Sequence, residues 1–529
     1  MTNSRNRLPW PVILAALSVA MSGLACARSD VPLSQVVAET DPTQIQASPV
    51  PSTVTEIPSL TPTASPTEVP TITATPSTPE PVISPTPPPT PTLSVSNQPD
   101  TIVYQSQPGD TLSAVAVRFG VVPSDITADG GNLPAPNLLV DPGTVLLVPR
   151  RLGATGPSDK LIPDSEMVFS PHAVDFDINS FVDQQGGFLK SYQEYVGSQM
   201  RSGADVLAMA ARDNSVNPRL LLAMLEYQSH WVTNPTRPTG AALDYPMGHQ
   251  DPTMKGLYRQ LTWLSNELGK GYYDWRSGRL TELVFPDGSI VRLAPSLNAG
   301  TVALQYYFSV TSSGRAWAQA LSPTGFMATY VSFFGDPFQY THPLFEPGVK
   351  QPPLILPFLP GHVWAFTGGP HGAWEREAAW AALDFAPSTS VAGCAISTDW
   401  AVASAPGLVV RSGDGVVVLD LDGDGREQTG WDLIYLHIAD QGRVAKGTFV
   451  ETGDLIGHPS CEGGIATGTH VHLVRKYNGE WILADGPLPF DLSGWVAHAG
   501  SKPYQGSLTK GDKTVLACPC ASKETLISR

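Results

Sequence analysis

Two histidines near the end of the chain are placed to do chemistry together. Residues 468–474 alternate apolar and polar positions, which is typical of a half-buried strand. Successive side chains of a strand point to opposite faces, so His470 and His472 point to the same side. A lone His-x-His pair is more often two satisfied polar residues than a metal site. Two aligned imidazoles are nevertheless a basis for zinc binding when further ligands lie nearby.

Further ligand types precede this pair, each in or beside a short apolar run with glycine nearby. They are His371, Asp384 and His437. A catalytic zinc keeps three protein ligands of the imidazole and carboxylate type, and a water takes the fourth position. The candidate groups exceed that number by two. The surplus predicts a zinc site with two additional histidines available for acid–base or electrostatic work.

The order of these residues, with the Tyr-x-His and His-x-His elements, resembles the lysostaphin-type zinc endopeptidases, which cut the peptide part of bacterial cell walls. The resemblance covers roughly residues 364–495. It implies an all-β, antiparallel metallopeptidase domain, which we place at residues 356–505. Carried over by position, it gives the zinc ligands His371, Asp384 and His472 and the catalytic residues His437 and His470.

The chain departs from the family pattern at the first pair of ligands. The family commonly has His-x-x-x-Asp, whereas an insert of residues 372–383 separates His371 from Asp384 here. Asp384 is still preferred because Ala-Leu-Asp-Phe is typical of a strand. Asp414 and Glu375 are the alternative carboxylates. The roles implied for the two catalytic histidines require neutral imidazoles, so activity is expected to fall below about pH 6.5.

Composition indicates a multidomain, exported protein. The 529 residues include 51 Pro and 48 Gly, which suggests several small domains joined by open linkers. The formal net charge of −16 argues against nucleic-acid binding.

Residues 1–26 have the charged and apolar order of a secretory signal. They end in Gly-Leu-Ala-Cys, which resembles a lipoprotein processing box with Cys26 as the lipidated residue. An ordinary small-residue cleavage site fits the same stretch. Residues 27–100 are rich in Pro, Thr and Ser and predict an extended tether. The remaining cysteines form an even set, in which Cys394 and Cys461 are a candidate disulfide.

Residues 101–151 resemble a lysin motif (LysM), a small strand–helix–helix–strand (βααβ) module that binds N-acetylglucosamine-containing glycans. The resemblance rests on a Gln-Pro-Gly-Asp-Thr-Leu turn and a closing Pro-Gly-Thr-Val-Leu-Leu-Val-Pro strand. We predict a helix starting after Thr111 and a core of Val115, Phe119 and Ile126. The resemblance implies glycan-binding residues Gly109, Asp110, Thr111, Leu112 and Asn132.

Residues 165–345 are predicted to form a helical, lysozyme-like domain. Leu-Glu-Tyr-Gln-Ser around Glu226 resembles the entry of lytic transglycosylases, although that family places Ser directly after Glu. The competing interpretation, which we favour, makes Glu226 an ordinary polar residue at a helix end.

Residues 420–425, Asp-Leu-Asp-Gly-Asp-Gly, resemble the start of a calcium loop. An EF-hand needs a carboxylate at its twelfth position, where Trp431 stands, so a turn between strands is expected instead.

Together these features predict an exported zinc metalloendopeptidase that binds peptidoglycan and hydrolyses its stem-peptide or cross-bridge amides. Residues 506–529 are expected to be a tail. The expected partners are peptidoglycan and, through Cys26, the outer face of the membrane. Two alternatives stay open: a lytic transglycosylase using Glu226, and a non-catalytic wall-binding or amidase-activating protein.

Overall fold

The structure is a computed structural model that describes residues 100–529, apart from residues 129–130, 313, 375–378, 389–392 and 521. The predicted signal segment, Cys26 and nearly all of the predicted tether lie outside the described residues. Within the described part of the chain, no helix is both long and apolar enough to cross a membrane.

The first unit is a small sheet with one helix packed on it. Its elements are β1 (Thr101–Gln105), α1 (Leu112–Phe119), β2 (Thr127–Ala128) and β3 (Val145–Pro149), and β3 lies between the other two strands. Thr111 accepts a hydrogen bond from the Ala114 amide and caps α1, as predicted. Val115, Phe119 and Ile126 are buried, which confirms the predicted core. The expected second helix is only a 3-10 turn, Pro123–Asp125, because the chain becomes extended again at Ile126.

The helical unit is built around α6, whose residues from Pro218 to Glu226 are all buried. Asn217 caps this helix and Pro218 occupies its first turn, where a missing amide hydrogen costs nothing. The helices are α2 (Asp164–Met167), α3 (Ile178–Gln185), α4 (Phe188–Ser191), α5 (Gly203–Asn214), α6 (Pro218–Ser229), α7 (Ala241–Asp244), α8 (Leu257–Arg276), α9 (Ala299–Thr311), α10 (Gly314–Ala320) and α11 (Phe326–Phe334). Two hairpins join them: β4 (Gln193–Val196) with β5 (Gln199–Ser202), and β6 (Glu282–Val284) with β7 (Ile290–Arg292).

The β unit consists of antiparallel sheets. Its strands are β8 (Val363–Gly372), β9 (Trp380–Pro387), β10 (Ala401–Val402), β11 (Gly407–Gly413), β12 (Val416–Asp420), β13 (Trp431–Leu436), β14 (Phe449–Val450), β15 (Leu455–Gly457), β16 (Val471–Tyr477), β17 (Glu480–Trp481), β18 (Asp491–Leu492), β19 (Trp495–Ala499), β20 (Gly506–Lys510), β21 (Lys513–Leu516) and β22 (Leu526–Ser528). In the described residues, the main sheet has the order β14-β11-β12-β13-β16-β9-β8-β22, with β17 paired to β16.

The two faces of the main sheet are buried differently. One face, which includes Leu433, Tyr435 and Leu473, packs into a core internal to the β unit. The other face, which includes Ile434 and Val474, belongs to the same core as the helical unit. The helical unit therefore covers one face of the sheet, and strand alternation sends each side chain to one core or the other.

The C-terminal segment differs from the expected tail. Residues 506–529 contribute β20 and β21 to a second sheet, and β22 pairs with β8 at the edge of the main sheet. Ile527 is buried there. Disulfides link Cys394 to Cys461, as predicted, and Cys518 to Cys520. The end of the chain is thus part of the β unit, because it covers an edge strand that would otherwise expose unpaired backbone groups.

A buried charge cluster joins the helical unit to the β unit. The Arg276 guanidinium lies 3.1 Å from both Asp164 and Glu480 and donates a 2.7 Å hydrogen bond to the Tyr272 hydroxyl. Burial raises the pKa of Glu480 to about 7, although Arg276 favours its charged form. Because the cluster is buried away from water, Arg276 is the cation that stabilises the charges of both Asp164 and Glu480.

We expect Arg276→Ala to destabilise the protein by about 3–5 kcal/mol, because it leaves two buried carboxylates without a cation. Arg279→Ala is the matched control, since Arg279 pairs with Asp274 near the surface and should contribute at most about 1 kcal/mol. Chemical-denaturation midpoints of the two variants measure the difference. Equal midpoints would show that the cluster does not couple the two units.

Candidate metal centre

The register of two neighbouring strands brings the carboxylate and one histidine together. Asp384 of β9 is paired directly with His472 of β16, so their side chains point to the same face. His371 lies near the end of β8, the next strand in the sheet, where irregular pairing with β9 shifts the register. The insert of residues 372–383 therefore does not separate the His371 and Asp384 side chains, which meet across the pairing of β8 with β9.

Three predicted zinc ligands converge in this way. His371 Nε2 lies 3.2 Å from Asp384 Oδ1, and His472 Nδ1 lies 3.2 Å from the same oxygen. The two histidine nitrogens are 3.0 Å apart. Two ligand atoms of a tetrahedral zinc are expected about 3.3 Å apart, given metal–ligand distances of about 2.0–2.1 Å. The donor types and their spacing fit zinc.

Backbone carbonyls fix which nitrogen of each ligand ring faces the centre. His371 Nδ1 lies 2.8 Å from the Gly369 oxygen, and His472 Nε2 lies 2.9 Å from the Ala373 oxygen. A carbonyl only accepts, so these nitrogens carry the hydrogens, and the opposite nitrogens present lone pairs. Asp384 Oδ1 is buried and has no hydrogen-bond donor among the described residues. Three lone-pair atoms facing one another are stabilised by a cation.

His437 and His470 form the second pair of rings at the same spot. Their ring centroids are 4.4 Å apart, and His470 Nε2 lies 3.7 Å from Asp384 Oδ1. Each Nδ1 again faces a backbone carbonyl, Glu462 at 2.8 Å for His437 and Gly468 at 2.7 Å for His470. The Nε2 atoms of both rings therefore carry lone pairs when the rings are neutral.

The backbone at His437 adopts an unusual conformation. Its φ is +64°, which a non-glycine residue rarely adopts. The Ser460 amide and hydroxyl both donate to the His437 carbonyl, at 2.6 and 3.0 Å, and hold it there. His437 is the first residue after β13, and in this conformation its ring lies beside that of His470.

The electrostatics favour the protonation states that a metal centre needs. Burial, assisted by His470 and His472, lowers the pKa of His437 to about 3, and burial also lowers the pKa of His472. Burial alone would raise the pKa of Asp384, but His371 and His470 hold it well below its ordinary value. His437 and His472 are thus neutral and Asp384 is ionised at neutral pH.

The alternative carboxylates and the other histidines do not join this group. Asp414 is exposed in the turn between β11 and β12 and pairs with Arg201 at 3.5 Å, while Glu375 lies outside the described residues. His458 bonds the Asp399 carbonyl, and His498 bonds Thr509.

Sequence reasoning missed Tyr504. Its ring stacks on His371 with centroids 4.1 Å apart, and its carbonyl accepts a 2.9 Å hydrogen bond from the Gly369 amide. This close approach of the two backbones needs glycine, because a Cβ on Gly369 would lie 2.5 Å from the Gln505 carbonyl oxygen. The Gly-Gly pair before His371 was the available signal of such a close approach, but it does not identify the partner.

Two parts of the chain match known protein families. Residues 160–347 match the LasA N-terminal domain, and residues 104–149 match the LysM domain. Over 328 residues the chain is 24% identical to Protease LasA of Pseudomonas aeruginosa strain UCBPP-PA14, covering 58% of this chain and 73% of that protein. The chain is thus similar to Protease LasA and carries a LysM match.

Two solved structures of peptidases are similar to part of this chain. The M23 metalloprotease pseudoalterin from the deep sea is 21% identical, with a TM-score of 0.26, covering 31% of this chain and 94% of that one. The catalytic domain of lysostaphin from Staphylococcus simulans is 20% identical, with a TM-score of 0.17, covering 24% of this chain and 89% of that one.

The LysM domain does not present its predicted glycan-binding turn to solvent. Asp110, Thr111 and Leu112 are buried, and the Asp110 carboxylate pairs with Arg118 at 2.8 Å. A Cβ on Gly109 would lie 1.8 Å from the Arg276 guanidinium of the helical unit. Asn132, in contrast, is exposed beside a cavity of about 360 Å³. The five predicted residues therefore do not share one open surface in this structure.

Glu226 lies within residues 160–347, the part of the chain that matches the LasA N-terminal domain. Its carboxylate is buried and accepts hydrogen bonds from the Val232 and Thr233 amides, both at 3.1 Å, and from the Thr233 hydroxyl at 2.6 Å. Through these hydrogen bonds the Glu226 carboxylate holds the loop that follows α6. The contacts favour the structural interpretation of Glu226.

We expect His371→Ala, Asp384→Ala and His472→Ala each to reduce bound zinc from about one ion per chain to near zero, because each removes one of three ligands. Elemental analysis after dialysis against low zinc measures the content. His458→Ala should retain zinc and is the control, since its ring bonds Asp399 outside the cluster. Full zinc retention by the Asp384 variant would contradict the assignment.

The lowered pKa of His437 predicts how acid affects the metal-free protein. Between about pH 6.5 and pH 3 the unfolded state takes up a proton at His437 that the folded state does not, so stability falls as pH falls. His437→Gln should reduce this loss by up to about 1.4 kcal/mol per pH unit. Thermal midpoints between pH 7 and pH 4 test it, and parallel pH curves for the two proteins would contradict it.

Proposed function

We propose that this chain is a zinc-dependent endopeptidase that hydrolyses amide bonds in the peptides of peptidoglycan. The observation that carries the proposal is the convergence of His371, Asp384 and His472 on one point, with His437 and His470 beside them. The similarity to Protease LasA and the LysM match support both the reaction and the substrate.

His371 and His472 offer one imidazole nitrogen each, and Asp384 offers an ionised oxygen, so these three would hold the metal. Zinc bound there supplies Lewis acidity and makes water a nucleophile at neutral pH. The buried positions of the ligands and their carbonyl-fixed rings keep this trio rigid, which removes the cost of arranging it during the reaction.

His437 and His470 would handle protons. Because each Nδ1 hydrogen is engaged by a carbonyl, each neutral ring accepts a hydrogen bond at Nε2 and cannot donate one there. His470 would take the proton of the attacking water. The protonated ring then becomes a donor and would deliver that proton to the departing amine. A role for His437 toward the developing oxyanion therefore requires that it first receive a proton.

The LysM domain would bring the enzyme to its substrate. Binding of the wall glycan raises the local concentration of peptide near the metal centre. Since the Gly109–Leu112 turn packs inward, Asn132 and the neighbouring cavity are the accessible part of the predicted glycan site. Export through the N-terminal signal segment, with lipid attachment at Cys26, is the corresponding proposal for location.

The two alternative functions have less structural support. A transglycosylase needs an acid that is free to protonate a glycosidic oxygen, whereas Glu226 is occupied by the loop after α6. A non-catalytic activator of this kind would lack ligands, whereas the three proposed ligands are all present and lie together here.

Mass spectrometry of the fragments released from purified peptidoglycan tests the proposal. The zinc-loaded protein and Glu226→Gln should both release fragments with new amine termini. His470→Ala should retain zinc but lose this activity by at least about 100-fold, because it lacks a general base. Altered sugar ends that disappear only in Glu226→Gln would contradict the proposal and move the chemistry to the helical unit.

A further inference from the structure

The loop between β12 and β13 gathers carboxylates that the proposed reaction does not use. Asp420, Asp422 and Asp424 each place a carboxylate oxygen within 4.8 Å of the others. The loop is shaped by its glycines: Gly423 and Gly425 have positive φ values of 76° and 89°. An acidic cluster of this kind at the protein surface is common without a metal, so it is not sufficient evidence for a site.

Asp432 provides the second, independent observation. It is fully buried, and neither of its carboxylate oxygens has a hydrogen-bond partner among the described residues. Asp432 pairs directly with Asp420 across β12 and β13, so the two side chains stand on the same face of the sheet. A buried carboxylate without a hydrogen-bond partner is strongly destabilising unless a cation or a proton accompanies it.

The protein cations nearby are already committed. Lys476 is paired with Asp432 in the next strand, but its ammonium lies 3.9 Å from Glu427 and 4.5 Å from the Trp481 ring centroid. Arg411 is engaged by Asp213 at 2.7 Å and Glu427 at 2.8 Å. Lys476 favours the charged form of Asp432, but it is shared with Glu427 and makes no hydrogen bond to Asp432, whose carboxylate also lies near Asp420 and Asp422. Burial, together with Glu427, Asp420 and Asp422, raises the pKa of Asp432 well above its ordinary value, although Lys476 acts in the opposite direction.

The position of Asp432 explains why the sequence pattern was incomplete. Counted from Asp420, the twelfth residue is Trp431, which has no carboxylate. Strand alternation points Trp431 away from the face of Asp420 and points the thirteenth residue, Asp432, toward it. In an EF-hand the twelfth position lies on a helix, whereas here the chain enters a strand. The strand shifts the last carboxylate by one residue.

We propose that Asp420, Asp422, Asp424 and Asp432 form a calcium site. Oxygen ligands alone favour a hard cation, and a carboxylate-rich, glycine-shaped loop suits calcium better than magnesium, which retains several waters in a rigid octahedral shell. Neither zinc nor the proposed peptidase reaction is involved.

The site would hold the loop against the helical unit. Arg426 of the loop pairs with Asp175 of the helical unit at 3.0 Å. The Gly430 amide donates to the Asn478 side chain, which in turn donates to the Leu344 carbonyl at 3.0 Å. Glycine is needed at position 430, because a Cβ there would lie 2.1 Å from Asp422 Oδ2. Calcium would thus stabilise the contact between the two units.

Calorimetric titration of the full chain with calcium chloride tests the proposal, after the chain has been treated with EGTA, dialysed free of it and reloaded with one equivalent of zinc. We expect about one calcium ion per chain and an increase in the thermal midpoint that magnesium does not reproduce at the same concentration. Asp422→Asn and Asp432→Asn should each weaken calcium binding at least about tenfold. Asp432→Asn should still fold, because the substitution is isosteric and removes no hydrogen bond.

Asp251→Asn is the matched control for Asp422→Asn, because each carboxylate accepts a hydrogen bond from the backbone amide two residues later. That amide belongs to Thr253 for Asp251 and to Asp424 for Asp422. It should leave calcium affinity unchanged. The proposal is overturned if the wild-type chain does not bind calcium, if Asp432→Asn binds it as tightly as wild type, or if magnesium gives an equal thermal shift.

Discussion

The candidate metal centre depends on the antiparallel register between β9 and β16. That register places Asp384 opposite His472, and the neighbouring strand adds His371 at hydrogen-bond distance from both. A shift of one residue would turn Asp384 to the opposite face of the sheet and separate it from His371 and His472. The sheet is therefore more than a scaffold, since its hydrogen-bond ladder determines which ligands meet.

Packing against the helical unit stabilises this register. The face that includes Ile434 and Val474 is buried under the helical unit, so slippage would expose apolar side chains on one side and bury polar ones on the other. Buried charges around Arg276 join the two units further. The positions of the candidate ligands thus depend on packing well outside the candidate metal centre.

Much of the site was predictable because strand alternation and ligand chemistry act locally. His470 and His472 had to share a face, and the resemblance supplied His371, Asp384 and His437 as their companions. Sequence did not determine whether the insert after His371 would separate two ligands, since loop length does not specify strand register. The carbonyls that orient the histidine rings could not be predicted, because backbone groups are the same in every residue. Tyr504 could not be predicted either, because nothing in the local sequence identifies a stacking partner so far along the chain.

Two other differences have the same origin in tertiary packing. The Gly109–Leu112 turn has the sequence of a glycan-binding loop, yet it packs inward against Arg276. Residues 506–529 have little periodic pattern, yet β22 finds a partner in β8. In both cases a distant part of the chain decides exposure, which local sequence does not encode.

The most direct test of the central claim is X-ray absorption spectroscopy at the zinc edge on the zinc-loaded full chain. The account predicts a four-coordinate zinc with nitrogen and oxygen ligands at about 2.0–2.1 Å and scattering from two imidazole rings. A sulfur ligand at about 2.3 Å, or scattering from more than two imidazoles, would contradict the assignment of His371, Asp384 and His472.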